Sequence, residues 1–161
     1  MATTQPEQTY PTPAIGVGGL VFNQEGKVLL VARKNPPRVG EWHIPGGRLE
    51  PGETISDCCR REVYEETGIW VTPEKIVAVA DRRIDGFHYV IIDFLARLDQ
   101  NSPQEPNPGS DALEAGWFSI DKDLHLPLVD GLIEVIAAGK RINAGKASGL
   151  GLDSRHHWLY A

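Results

Sequence analysis

The segments Ile15 to Phe22 and Lys27 to Arg33 are almost wholly apolar and are separated by Asn23-Gln24-Glu25-Gly26. Two short apolar runs joined by a polar, glycine-bearing tetrapeptide predict a β-hairpin. A second hairpin is expected from Ile76–Ile84 and Phe87–Leu98, which flank Asp85-Gly86. Between the two lies a helix signature: a Pro51-Gly52 turn, Thr54 followed three residues later by Asp57, and Gly68 as a natural stop. The helix therefore runs over roughly Thr54 to Thr67. Further on, residues 100–111 have the composition of a surface loop, Trp117 to Ile120 reads as a short strand, and Leu128 to Arg141 carries Leu132, Ile133, Val135, Ile136 and Ala137 at helical spacing. Residues 1–13 form an arm, 14–141 the folded domain and 142–161 a tail with no clear pattern. Strands and two helices in this order predict an α/β domain with helices on both faces of a mixed β-sheet.

With 161 residues, the chain is long enough for one domain that buries about two-thirds of its unfolded surface. A net charge of −6 gives no general attraction for nucleic acid or anionic membrane, so neither a nucleic-acid polymer nor a membrane is expected as a partner. The opening MATTQPEQTYPTP has no apolar stretch of the signal-peptide kind, and no run approaches the ~18 apolar residues of a membrane span. Cytoplasmic residence is the resulting expectation. The only cysteines, Cys58 and Cys59, are adjacent on the helix and poorly placed to bridge each other, which reads as reduced structural thiols.

The helix carries the chemistry. Glu62, Glu65 and Glu66 stand at i, i+3 and i+4 and share one face. Carboxylates ~6 Å apart repel by roughly 2 to 3 kcal/mol per pair at an effective dielectric of about 20. Glu65 and Glu66 also occupy the last turn, where the helix dipole disfavours anions by ~0.3 to 1 kcal/mol each. Arg60 and Arg61 offset part of this, and a divalent cation would offset more. Magnesium suits the site because it takes hard oxygen ligands, commonly one or two carboxylates with waters and phosphate oxygens. Manganese meets the same requirement. A solvated acidic face is the plainer reading of a lone Glu-Glu pair; the wider spacing argues against it.

Gly47, Glu53, Arg61, Glu62, Val63, Glu65, Glu66, Gly68 and Ile69 fill every fixed position of GX5EX7REUXEEXGU, with U aliphatic. On these residues, with Trp42, Pro45 and Gly46 as lead-in, the chain resembles the Nudix hydrolases. The resemblance implies an α/β/α sandwich and metal-dependent hydrolysis of a nucleoside diphosphate linked to a group X. It implies Glu62 and Glu66 as metal ligands, Glu65 sharing the cluster, and the Gly46 carbonyl as a backbone ligand. Arg61 and Glu53 would hold the carboxylates as an ion pair. For the general base, Glu62 or Glu65 competes with Glu114, whose position before Trp117 resembles that of a family loop glutamate.

Arg33 and Arg38 stand just upstream, where a guanidinium fork matches phosphate oxygens. Trp42, Phe87 and Tyr89 are candidates to stack on a base, although aromatics more often pack a core. His43 and His88 read as structural, and His156 and His157 have no evident partner. The segments FHYVIIDFLARL and RVGEWHIPGGRLEPGE are similar to Nudix enzymes acting on ADP-ribose or related nucleotide sugars. A MutT-like nucleoside triphosphate pyrophosphohydrolase and a catalytically silent nucleotide sensor are the alternatives. No box glutamate is lost, which disfavours the sensor. Family members are often dimers, so a homodimer is also an expectation.

Overall fold

The computed structural model describes residues 11–36, 38–84, 86–120, 125–155 and 157–160. Most of the expected arm (1–10), Asp85 of the second turn and His156 lie outside them. Two sheets form. The larger has six strands in the order β4-β1-β6-β5-β8-β9 and the smaller three in the order β3-β2-β7.

β1 (Ala14–Val21) and β2 (Val28–Arg33) are strands, but they do not make the expected hairpin. Only Phe22 and Val28 bridge, at a turn where Asn23 Oδ1 accepts from the Glu25 and Lys27 amides. Beyond it the strands part into different sheets. β1 is antiparallel to β4 (Gly46–Arg48) and parallel to β6 (Phe87–Leu98). β2 is antiparallel to β3 (Trp42–His43) and to β7 (Ala112–Phe118). Both strands are buried on both faces, so neither shows the alternation that would have marked a two-stranded ribbon.

The second hairpin does form, from β5 (Val71–Ile84) and β6. β1 runs parallel to β6 and antiparallel to β4, so the larger sheet is mixed. α1 (Ile55–Thr67) packs on one face of β1 through Cys58, Cys59 and Val63, which join Val17, Val21 and Phe94 in one core cluster. α2 (Leu132–Asn143) supplies Leu132 and Ile136 to a second cluster with Leu20, Leu30, Trp42 and Ile44. The helices thus lie on opposite sides of β1, as the α/β/α reading expects.

Two further departures concern the second half of the chain. β7 begins at Ala112, five residues before the expected strand, so Glu114 sits on a strand opposite Ala32 rather than in a loop. The tail forms β8 (Leu150–Leu152) and β9 (Trp158–Tyr160), joined to the larger sheet where Leu150 pairs with Ile76. Trp158 packs edge-on against Phe94 with ring centroids 5.0 Å apart. Among the described residues no helix is long and apolar enough to cross a membrane.

Candidate metal and phosphate site

Local capping sets α1 in register. The Thr54 hydroxyl accepts from the Asp57 amide at 3.1 Å, and Gly68, at φ 71°, donates its amide to the Tyr64 carbonyl at 2.7 Å. A Cβ on Gly19 would stand 2.7 Å from Val63 Cγ2, so the helix presses directly on β1 where a side chain is missing. This brings the carboxylate face of α1 over β4. A Cβ on Gly47 would collide with the Glu62 carboxyl group, and the Gly46 amide donates to Glu66 Oε2 at 3.1 Å. Glycine at 47 is therefore a steric requirement of the Glu62 position.

Arg61 organises the carboxylates. Its Nε and Nη2 donate to both oxygens of Glu53 at 2.6 and 3.0 Å, while Nη1 donates to Glu62 at 2.7 Å and to Glu65 at 3.2 Å. Nη2 also reaches the Arg48 carbonyl at 3.1 Å, tying the helix to β4. The guanidinium holds the Glu53 carboxyl well down, at about 2, and the same contacts raise Arg61 itself. Glu62, only 14% exposed, is raised because burial outweighs Arg61. Glu66 is pushed up to about 8, mainly by burial, with Glu62 and Asp111 adding to the shift while the Gly46 amide and Arg33 oppose it. Left alone, the cluster is short of positive charge.

Among the described residues no three histidine, cysteine or acidic side chains converge as a ready-made metal cage. Two half-buried carboxylates beside the backbone of β4 nevertheless fit magnesium, which leaves most of its shell to water and phosphate. The oxygen-only donor set and the excess negative charge both agree with such an ion.

The remaining expected residues divide. Arg33, at the end of β2, is close enough to bias both Glu66 and His43 electrostatically, which puts it beside the cluster. Arg38 has a left-handed backbone (φ 66°) and faces Glu41 at 3.6 Å and Asp130 at 3.8 Å. Trp42 is 7% exposed and packs edge-on against Phe118 at 4.8 Å, inside the core rather than on a binding surface. Phe87 and Tyr89 stack on each other at 6.2 Å near the hairpin tip. Glu114 is exposed on β7. His43 is held neutral, its value lowered to about 4 by burial, with Nδ1 2.6 Å from the Ile44 carbonyl. His88 Nε2 lies 2.6 Å from Asp81. Cys58 and Cys59 are buried free thiols, both raised to about 12 by desolvation and therefore inert at neutral pH.

Asp111 escaped the sequence reading. It follows the polar loop and acts on Glu66 through space. The only signal was an acidic residue directly before the short strand that opens at Ala112. The loop itself is anchored: the Asn107 and Gly109 amides donate to the Thr67 and Glu66 carbonyls at 2.8 and 3.0 Å. A Cβ on Gly109 would run into the Glu65 carbonyl.

Comparison with known proteins identifies the family. The family model of the NUDIX domain matches residues 12–138. The chain belongs to the Nudix family. It is 35% identical over 115 residues to an ADP-ribose pyrophosphatase of Methanocaldococcus jannaschii, covering 70% of this chain and 65% of that one. It is 34% identical over 98 residues to the 8-oxo-dGDP phosphatase NUDT18 of Mus musculus, covering 60% of this chain and 29% of that one. The chain thus spans less than two-thirds of either relative. Among solved structures, a MutT NUDIX hydrolase from Burkholderia pseudomallei superposes with a TM-score of 0.69 at 29% identity, over 80% of this chain and 98% of that one.

Proposed function

We propose that the chain hydrolyses the pyrophosphate bond of a nucleoside diphosphate linked to a second group, with ADP-ribose or a related nucleotide sugar as substrate. The observation that carries this reading is the half-buried pair Glu62 and Glu66, raised in pKa yet fixed by Arg61 and the Gly46 amide. Such a pair is costly unless a cation and phosphate complete it. The similarity to an ADP-ribose pyrophosphatase supports the nucleotide-sugar class.

Glu62 and Glu66 would hold magnesium, with Glu65 and the backbone at Gly46 beside them; the ion supplies charge neutralisation at the phosphate oxygens. Arg61 and Glu53 act as positioning residues, because their bidentate pair fixes the guanidinium that orients Glu62 and Glu65. Arg33 is placed to bind a phosphate oxygen. Water attacks one phosphorus, the bond from that phosphorus to the bridging oxygen breaks, and the bridging oxygen leaves on the other phosphate. The water proton passes to a carboxylate. Glu65 is engaged by Arg61, whereas the exposed Asp111 is near enough to raise Glu66 and hydrogen-bonds to no described residue, so Asp111 is the better acceptor. Glu114 is the other candidate.

The test is product identification by mass with magnesium present. AMP plus ribose 5-phosphate from ADP-ribose is the expected result. Absence of cleavage across a panel of nucleotide sugars would overturn it. Pyrophosphate release from a nucleoside triphosphate would favour the second reading, which rests on the superposition with the MutT hydrolase.

A further inference from the structure

Alternation along the strand that carries β3 sets Trp42 on one face and its neighbours Glu41 and His43 on the other. Trp42 packs in the cluster of α2. On β2, Leu29 packs in the cluster of α1, and Val31 and Arg33 follow it at alternate positions. His43 stands opposite Val31. One step further, the Arg33 amide donates to the Glu41 carbonyl at 2.9 Å, so Glu41 comes opposite Arg33 on the face that looks toward α1. Gly40 makes this pairing possible: at φ 86° it forms a glycine bulge, and its amide donates to the Arg33 carbonyl at 2.9 Å. Arg33 in turn biases Glu66 and His43 through space. The carboxylate cluster, Arg33 and Glu41 therefore follow one another along one face.

The Glu41 carboxylate is short of donors. Its Oε1 faces Arg38 Nη1 at 3.6 Å, beyond hydrogen-bond reach. Its Oε2, among the described residues that are not exposed, is the one buried side-chain nitrogen or oxygen without a partner. An unpaired buried acceptor costs stability, and a donor from outside the fold would satisfy it. The side chain as a whole keeps 24% of its surface open. Its neighbour Arg38 is exposed, and that guanidinium hydrogen-bonds to no described residue, being held only by Glu41 and, at 3.8 Å, by Asp130.

The charges around Glu41 decide what kind of donor fits. Arg33, Arg38, Glu41 and Asp130 carry two charges of each sign and cancel. A second metal ion would meet two guanidinium groups, and a further phosphate would meet two carboxylates. A neutral donor meets neither penalty. Two carboxylate oxygens lacking hydrogen bonds match two adjacent hydroxyl groups, as a sugar presents them. Glu41 lies one strand spacing, about 5 Å, beyond Arg33, so the group it meets is the one bonded to the phosphate that Arg33 holds.

We propose that Glu41 binds the sugar of the second group, accepting hydrogen bonds from its adjacent hydroxyls and so favouring nucleotide sugars over nucleoside triphosphates. This rests on the hydrolase reading for the place of the phosphates. A site built to bond a substrate hydroxyl rejects the analogue that lacks it, because its own polar group is then left unpaired.

The experiment is calorimetric binding to the full chain with magnesium, using three analogues whose α,β-methylene bridge resists cleavage. They differ only beyond the second phosphate: the ADP analogue ends there, the ADP-ribose analogue adds a sugar, and the ATP analogue adds a phosphate. The ribose analogue is expected to bind about tenfold tighter than the other two, as hydrogen bonds to a charged group require. In E41A that advantage disappears through weaker binding of the ribose analogue. E41Q, which keeps the shape and loses the charge, retains part of the advantage and decides the matter should E41A fail to fold. Equal affinities in the unmodified chain, tighter binding of the ATP analogue, or an advantage undiminished in either variant would overturn the assignment; cleavage of ADP-ribose would then leave the hydrolase reading standing. An advantage lost in E41A, with no nucleotide sugar cleaved by the unmodified chain, would instead sink the hydrolase reading and leave Glu41 as a sugar-binding residue. No binding of any analogue would overturn both.

Discussion

Glu66 and Asp93 are both acidic side chains pushed into the protein, and they are held in opposite ways. Glu66 receives the Gly46 amide, feels Arg33, and belongs to a helix face gathered by Arg61. Asp93 lies over bare glycine with no donor among the described residues. The first arrangement is built before any ligand arrives, as electrostatic preorganisation requires. The second is a carboxylate raised by burial, with Arg82 the charge that opposes the shift.

Substitution on the preorganised side should have the largest effect. E66Q keeps the shape and loses the charge, and kcat is expected to fall by roughly a thousandfold. Near-normal turnover would remove Glu66 from the metal site. D111N should cost about a hundredfold, with E114Q close to the unmodified chain; the reverse order would transfer the proton-accepting role to Glu114. R61K loses the bidentate grip on Glu53, and about a tenfold fall in kcat with KM little changed is expected. An R61K variant with normal kcat would mean that the carboxylates need no positioning.

Stability effects are smaller and carry a defined sign. Asp93 has a folded value raised from 3.8 to about 6, so the folded state binds the extra proton. The unmodified chain should therefore lose stability relative to D93N as pH rises across that window, by up to about 3 kcal/mol. Thermal unfolding at pH 4 and pH 7 measures it, and a difference independent of pH would show that Asp93 does not titrate there. Without metal, E66Q should likewise gain over the unmodified chain between about 4.5 and 8.

α1 was legible because Thr54, Asp57 and Gly68 are local signals whose hydrogen bonds stay within a few residues. The partners of β1 and β2 were not, since residues buried on both faces carry no period to say which neighbour they meet. β4 is three residues, two of them glycine, and its strand character comes entirely from pairing with β1. Arg61 and Glu53 were legible as a pair through the family resemblance, whereas Trp42 was misleading: a large aromatic beside a candidate site looks the same in sequence whether it stacks or packs. Asp93 sits alone in FHYVIIDFLARL, and only the structure places it above Gly18.

The amides of Asn107 and Gly109 clasp the last carbonyls of α1, and there is no room for a side chain at Gly109. For protein engineering, this divides one connecting loop into two territories. The stretch around Pro103 to Glu105 is exposed, held by the Gln104 carbonyl that accepts from Trp117 Nε1 at 2.8 Å, and should accept an inserted peptide tag at the cost of that one bond to β7. One residue added between Asn107 and Gly109 would unlatch the end of the helix that carries Glu65 and Glu66.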